Sequence, residues 1–495
     1  MSTDTIFVIL QGTDFKIMEK IEKKQLIYER IARNIEAKIR NNVLRLGDKL
    51  PSIREACSEH GISKNSVLQA YYVLEGKGLI ESRPQSGYYV CYSKRQLASV
   101  PETSNPQGLD VAEETEALVN KVLDSQNNQN NIILSLGAPA ISLLPIAKLN
   151  KAMVHAIREL DAGGTLYEIT QGNSNLRRQI ARQSFSWEGN LNESDIITTA
   201  GCMNALSFCL MSVTESGDTV VVESPVYFGL LQLARSLGLH VLELPTNATT
   251  GIELDALKDA LQQKQVKACI LISNFSNPLG SCMPDEHKRE AVRLMEKYNV
   301  PLIEDDLYGD IYFGSSRPSC CKTYDESGMV LWCSSASKTL APGYRVGWTA
   351  PGKFKEKVLR TKRYHSLSSN TISQEAIAIF LETGRYENHL RKLRSALQCN
   401  SLQFMRSIVE HFPHDTKVSY PQGGFILWIE LNKSIDTMEL FKIAMSHKIS
   451  IAPGRLFSLQ KQYGNCMRLS YGLIWDERVE GALKLLGSIC KGLLK

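Results

Sequence analysis

From Ile132 onward, short apolar runs recur at Ile196–Thr199, Thr219–Glu223, Ala268–Ser273, Leu302–Glu304 and Val330–Ser334, separated by segments long enough for a helix. A run of this length, bounded by turn residues, suits a strand buried on both faces. A helix between two such strands returns the chain to the same end of the sheet, so the strands come out parallel. The alternation predicts an α/β domain with a mostly parallel central sheet over residues 131–495. No internal repeat is visible, and no uninterrupted apolar run reaches the roughly 18 residues of a membrane span. The start, MSTDTIFVILQG, has neither a basic leader nor a small-residue cleavage site, so residues 1–17 read as an extension and not as a signal peptide. The 12 cysteines are scattered, with no CxxC pair and no Cys/His cluster at zinc spacing. This predicts reduced thiols in a cytoplasmic protein, with no metal.

Residues 93–130 have a different character. PETSNPQG and QNNQNN flank a segment with helical pattern near Val111–Leu123, and the stretch reads as a linker. Ahead of it, residues 18–95 hold 15 lysines and arginines against 9 acidic residues, while the whole chain is only +5, so the basic excess is confined to this part. Ile27, Ile31, Ile35 and Ile39 recur at helical spacing. Ser52-Ile-Arg-Glu55 has the form of a capping box opening a helix to about His60. Gly61-Ile62 makes a turn, Ser63 can cap a further helix through Leu74, and strands Leu79–Ser82 and Tyr88–Tyr92 flank a hairpin tip at Arg83–Gly87. Residues 18–92 therefore form a small module of three helices and a hairpin. In a helix-turn-helix, Ser63, Lys64, Asn65, Ser66 and Gln69 would face base edges and phosphates. Ser52 and Arg54 would touch backbone, and Arg83, Gln85, Ser86 and Gly87 would form a wing. The periodicity fits a protein-interaction module with a solvated basic face equally well.

Cys333-Ser-Ser-Ala-Ser-Lys338-Thr-Leu-Ala-Pro-Gly-Tyr-Arg345 follows one of the apolar runs. A lysine amine between hydroxyls, with a guanidinium in the same loop, can form a Schiff base while its neighbours hold a phosphate. Four further segments supply other needs of one cofactor. Thr199-Ala-Gly201-Cys202-Met203-Asn204 sits between a strand and a helix, where backbone N–H groups bind phosphate. Tyr227, in Glu223-Ser-Pro-Val-Tyr227, offers a ring to stack on a pyridine. Asn277, in Asn277-Pro-Leu-Gly280, can bond a phenolic oxygen. Glu304-Asp305-Asp306-Leu307-Tyr308 puts a carboxylate at a strand end, where it can keep a pyridine nitrogen protonated. Singly, each segment also reads as a turn, a packed ring or a surface acid.

The order and spacing of these five segments resemble the fold-type I aminotransferases, which bind pyridoxal 5′-phosphate (PLP), over nearly all of residues 132–495. The resemblance implies a large domain with a smaller C-terminal α/β subdomain. It implies Lys338 as the Schiff-base lysine, Asp305 at the pyridine nitrogen, Asn277 and Tyr308 at the ring hydroxyl, and Tyr227 on the ring face; Lys338, Asp305 and Tyr227 are the catalytic set. Gly201, Cys202, Met203, Ser335, Ser337 and Arg345 would surround the phosphate. Tyr167, in Tyr-Glu-Ile-Thr-Gln-Gly-Asn, is similar to a tyrosine that reaches the phosphate of a partner across a head-to-tail homodimer. Arg468 is similar to the arginine that takes a substrate carboxylate, with Gly137 beside it. Cys202 departs from the usual Ala or Ser and is expected to be tolerated, since backbone does the binding there.

The stretch GDKLPSIREACSEHGISKNSVLQAYYVLEGKGLIESRPQSGYYV resembles the winged helix-turn-helix of the GntR family of bacterial regulators. A GntR-type reader joined to an aminotransferase-like domain is the architecture of the MocR subgroup. That resemblance implies a PLP-binding regulator of double-stranded operator DNA, answering to an amino compound or to PLP itself. The alternative is an active aminotransferase with an accessory DNA-binding module, because every residue of the half-reaction is present.

Overall fold

The computed structural model describes residues 27–494 apart from positions 42, 46, 77–78, 84–85, 91–97, 107–114, 127, 129 and 264, and the chain divides into two units, Met1–Leu97 and Ala98–Lys495. The expected extension 1–17, Gln85 and the side chains of Asn65 and Arg83 lie outside the described residues. No helix among the described residues is long and apolar enough to cross a membrane.

The smaller unit has helices Ile27–Arg40, Ile53–His60 and Lys64–Gly76, then an antiparallel hairpin of Ile80–Arg83 with Gly87–Val90. Ile31 and Ile39 are buried on the first helix and Ile35 half-buried, so the four-residue spacing marks the inward face. The second helix opens on the expected capping box. The Glu55 amide donates to Ser52 Oγ at 3.3 Å, and the Ser52 amide donates to the Glu55 carboxylate at 2.7 Å. The bond from the Ser52 amide is the main cause that holds the exposed Glu55 carboxyl below its ordinary range. Val67, Ala70, Tyr71 and Leu74 carry the third helix into the core, and the Tyr71 hydroxyl donates to the Pro51 carbonyl at 2.8 Å, locking it to the segment before the second helix.

The larger unit is built on an eight-stranded sheet, in the order Ile197–Thr199, Gly347–Ala350, Val330–Ser335, Leu302–Asp305, Val266–Leu271, Thr219–Ser224, His240–Asn247, Gly251–Ile252. The five strands from Val330–Ser335 to His240–Asn247 run parallel. Gly347–Ala350 lies antiparallel to both neighbours. Burial on both faces explains the apolar runs: Val220, Val221 and Val222 are all fully enclosed, because helices cover the sheet on either side. All five strands expected from sequence are present, with ends shifted by up to two residues. A second, four-stranded antiparallel sheet (Lys417–Val418, Ile426–Glu430, Cys466–Ser470, Ala452–Pro453) forms the C-terminal subdomain with helices Arg385–His411, Thr437–Ser446 and Glu477–Gly492.

The stretch expected as a linker at 93–130 differs from that expectation, since most of its described part is docked on the larger unit. Ser104 Oγ donates to the Ser224 carbonyl at 2.6 Å, the Tyr420 hydroxyl donates to the Ala98 carbonyl at 2.7 Å, and Glu102 pairs with Lys417. Helix Thr115–Gln126 buries Leu118, Val119 and Val122 in the C-terminal core. These apolar residues share one helix face, a signal that the surrounding polar composition obscured.

Candidate functional site

The parallel strands end on one rim of the sheet, and the chemistry-bearing residues follow those ends. Asp305 closes strand Leu302–Asp305, and Ser335 closes Val330–Ser335 with Lys338 just beyond it. Tyr227 follows Thr219–Ser224, and Cys202 begins the helix Cys202–Val213 that follows Ile197–Thr199. This is where open α/β sheets form ligand crevices. Of the residues expected at the cofactor and ligand site, all but Gly201 and Tyr167 line one cavity of about 290 Å³. Gly201 adjoins it as the N-cap of helix Cys202–Val213, at φ 89 and ψ 169. Tyr167 is 85% exposed and does not line the cavity of its own chain.

At one end of the cavity the helix Cys202–Val213 opens with no acidic residue in its first turn and no side chain capping it, so its leading N–H groups can receive an anion. The Arg345 guanidinium lies against Gly201 and donates to the Ala200 carbonyl at 3.1 Å. Ser335 and Ser337 face the same cavity, joined by a bond from the Ser337 amide to Ser335 Oγ at 3.2 Å. At the floor, the buried Asp305 carboxylate accepts from the Cys202 thiol at 3.5 Å. It has no cationic hydrogen-bond partner among the described residues. Burial pushes its carboxyl up to about 7, against the thiol bond that lowers it. Lys338 Nζ donates to the Gly137 carbonyl and is held down to about 8, first by burial and then by the Arg468 charge, while Asp305 pulls the other way.

On the far side, Arg468 is 2% exposed on strand Cys466–Ser470. Its Nη1 donates to Asn277 Oδ1 at 3.0 Å, its Nη2 to the Ser135 carbonyl at 2.5 Å, and its Nε has no partner among the described residues. The Asn277 amide in turn donates to the Tyr308 hydroxyl at 3.5 Å. Burial raises the phenols of Tyr227 and Tyr308 and keeps both protonated. One cavity thus offers an anion cradle, a buried carboxylate in need of a cation, an amine close to neutrality and an arginine with an unused donor. That donor set fits PLP. The phosphate would meet the helix start and Arg345, the pyridine nitrogen would meet Asp305, and Lys338 would meet the aldehyde carbon.

Residues 132–486 match the family Aminotransferase class I and II, and residues 27–90 match Bacterial regulatory proteins, gntR family. The uncharacterized HTH-type transcriptional regulator YdcR of Escherichia coli is 36% identical over 93% of this chain and 98% of its own. The chain belongs to the MocR type of the GntR family. The HTH-type transcriptional regulator NorG of Staphylococcus aureus is more distant from this MocR-type chain, at 27% identity over 88% of it and 98% of the relative. Among solved structures, the multiple substrate aminotransferase of Thermococcus profundus superposes with a TM-score of 0.71 at 25% identity, over 77% of this chain and 96% of that one. The α-aminoadipate aminotransferase LysN of Thermus thermophilus, complexed with N-(5′-phosphopyridoxyl)-L-leucine, gives 0.70 at 26% identity, over 76% and 94%. The C-terminal unit of this MocR-type chain therefore has the fold-type I aminotransferase fold.

In the reader unit, Arg54 lies on helix Ile53–His60, Lys64, Ser66 and Gln69 lie on helix Lys64–Gly76, and Ser63 sits just ahead of the latter; Arg54, Ser63, Lys64 and Gln69 are exposed and Ser66 is half-buried. Ser52 and Ser63 have local work: the first caps its helix, and the second accepts from the Ser66 amide at 3.2 Å. Ser86, at the hairpin, bonds the Tyr89 hydroxyl at 2.6 Å. Sequence reasoning missed Leu123, Gln126 and Ser135. Leu123 and Gln126 line the cavity from helix Thr115–Gln126, and Ser135 holds Arg468 through its carbonyl. Only their position in the fold marks them, as no motif contains them.

Proposed function

We propose that this chain is a transcriptional regulator that binds operator DNA through its winged helix-turn-helix, carries PLP on Lys338, and changes its DNA binding in response to a carboxylate-bearing amino compound or to PLP itself. One observation carries the reading: twelve of the fourteen residues expected to hold PLP and a ligand carboxylate line a single cavity in a chain that also carries a gntR-family reader. The similarity to YdcR, an uncharacterized HTH-type transcriptional regulator, and the phosphopyridoxyl-leucine held by LysN support it.

Bound PLP supplies an electron-withdrawing ring whose aldehyde condenses reversibly with primary amines. The chain's residues do the rest. The cavity depresses the basicity of the Lys338 amine, so a useful fraction is neutral and nucleophilic near neutral pH. Asp305 gives the ring nitrogen a carboxylate to hold a proton against. Tyr227 covers a ring face, Asn277 and Tyr308 address the ring oxygen, and Arg345 with the helix start fixes the phosphate. Arg468 receives a carboxylate with its paired N–H groups. A head-to-tail homodimer in the cytoplasm belongs to the same reading, and Tyr167, exposed in one copy, would reach the phosphate site of the other. A ligand shifts the operator equilibrium only by binding the two conformations with different affinity.

The test pairs two measurements on the full chain. Lys338→Ala should abolish the visible absorption of the lysine-bound cofactor; absorption that persists unchanged removes Lys338 from its role. DNA from the upstream region should be bound specifically, with affinity altered by PLP or an amino compound. Because Arg468 and the rest of the half-reaction set are present, transamination is the second reading. Sustained keto-acid production without ligand-modulated DNA binding would favour it.

A further inference from the structure

Helix Thr115–Gln126 lies in the sequence between the reader and the sheet-bearing body, where a spacer would be expected, yet it ends against the ligand cavity. Its last residue is bonded at two points to the residue that orients Arg468. Gln126 Nε2 donates to both the carbonyl and Oγ of Ser135, each at 3.2 Å. The same carbonyl accepts from Arg468 Nη2, so its two lone pairs are filled, one by the arginine and one by the glutamine.

The hydroxyls beneath fix the direction of this network. Ser125 Oγ donates to the Val122 carbonyl at 2.6 Å, which leaves it an acceptor for the Ser450 hydroxyl at 2.6 Å. Ser450 Oγ then accepts from Ser135 Oγ at 2.7 Å, and Ser135 Oγ accepts from Gln126. Each hydroxyl has one place to donate. Ser125, Ser135 and Ser450 are buried, so a break would strand a polar group away from water. Ser135 is thereby clamped by its backbone and its side chain at once, and its carbonyl has one direction in which to point.

We propose that Gln126 is a positioning residue for the carboxylate site. By clamping Ser135 it sets the plane of the Arg468 guanidinium, and so makes the helix Thr115–Gln126 a working wall of that site. This rests on the reading of Arg468 as the carboxylate receptor. A bidentate carboxylate needs two parallel N–H groups, and rotation of the guanidinium plane spoils the pair while leaving the charge in place.

The test uses two probes that differ only in a carboxylate, N-phosphopyridoxyl-L-alanine and N-phosphopyridoxyl-ethylamine, titrated into full-length protein stripped of cofactor. Wild type should prefer the alanine adduct. Gln126→Ala should shrink that preference by about fivefold, the worth of one hydrogen bond, while the affinity for the ethylamine adduct and for PLP stays within twofold. Gln126→Glu, of nearly the same size but without amide donors, should shrink it at least as much and guards against a helix loosened by the smaller residue. An unchanged preference in both variants, or an equal loss on both adducts, overturns the role of Gln126. A wild type that shows no preference overturns the reading of Arg468 instead, and the inference with it.

Discussion

Gly201→Ala is the sharpest probe of the phosphate end. Gly201 has φ 89 and ψ 169, a region that essentially only glycine occupies, and a residue with a Cβ pays roughly 1–3 kcal/mol there. The Cβ would also stand 2.4 Å from Arg345 Nη2 and 2.8 Å from Arg345 Cζ. The guanidinium is the end of a flexible side chain, so it swings away and the protein still folds, with stability reduced by the backbone term alone. What is lost is the charge-assisted bond that Arg345 would make to phosphate. At about 1.5–3 kcal/mol, that corresponds to a tenfold to hundredfold weaker PLP affinity. The assay is PLP titration by absorbance in wild type, Gly201→Ala, Arg345→Ala and the double variant. Because alanine at 201 acts through the arginine, the double variant should bind PLP no more weakly than Arg345→Ala. Full additivity, or wild-type affinity in Gly201→Ala, would refute the account.

Other expectations follow from the same geometry. Arg468→Lys keeps a charge but not the planar fork, and should weaken binding of N-phosphopyridoxyl-L-alanine by at least tenfold, with little change for the ethylamine adduct. Lys338 and the enclosed Lys362 are both held down to about 8 by burial. Between pH 8 and about 10.4, where a free lysine still holds its proton, the unfolded cofactor-free chain binds more protons than the folded one. Stability attributable to these two groups should rise with pH across that window, and Lys338→Met should flatten the rise in denaturant titrations. Asp305, raised to about 7 by burial, acts with the opposite sign. Its contribution should fall as pH climbs from about 4 to 7, and Asp305→Asn should remove that fall. In the reader, Lys64→Ala should lower the slope of log affinity for DNA against log salt by about 0.9, the mark of one lost phosphate contact; an unchanged slope takes Lys64 off the DNA.

The legible part of this molecule was whatever lies within one short segment. The lysine loop, the Asp305 strand end and the capping box at Ser52 each put their chemistry inside a few consecutive residues, and their places followed from local rules. The strands His240–Asn247 and Gly347–Ala350 escaped notice for different reasons. The first carries a proline, Pro245, opposite Ser224, and the second is only four residues long, its burial supplied by neighbours on both sides. Leu123, Gln126 and Ser135 were illegible in principle. The helix that carries Leu123 and Gln126 meets Ser135 only after folding, and nothing in composition separates that helix from a spacer. Tyr167 is the reverse case: a motif names it, yet its own chain leaves it in solvent.

The antiparallel strand Gly347–Ala350 has a mechanical consequence. It pairs Gly347 with Ser335, and the Ala336 amide donates to the Val346 carbonyl at 3.1 Å, so the loop carrying both Lys338 and Arg345 is stapled shut at its base. The amine that would hold one end of PLP and the guanidinium that would hold the other are two jaws of a single caliper, hinged on the same pair of strands. A ligand that freed Lys338 would act on a jaw whose mate could still hold the phosphate, so the cofactor would stay seated while the lysine was released.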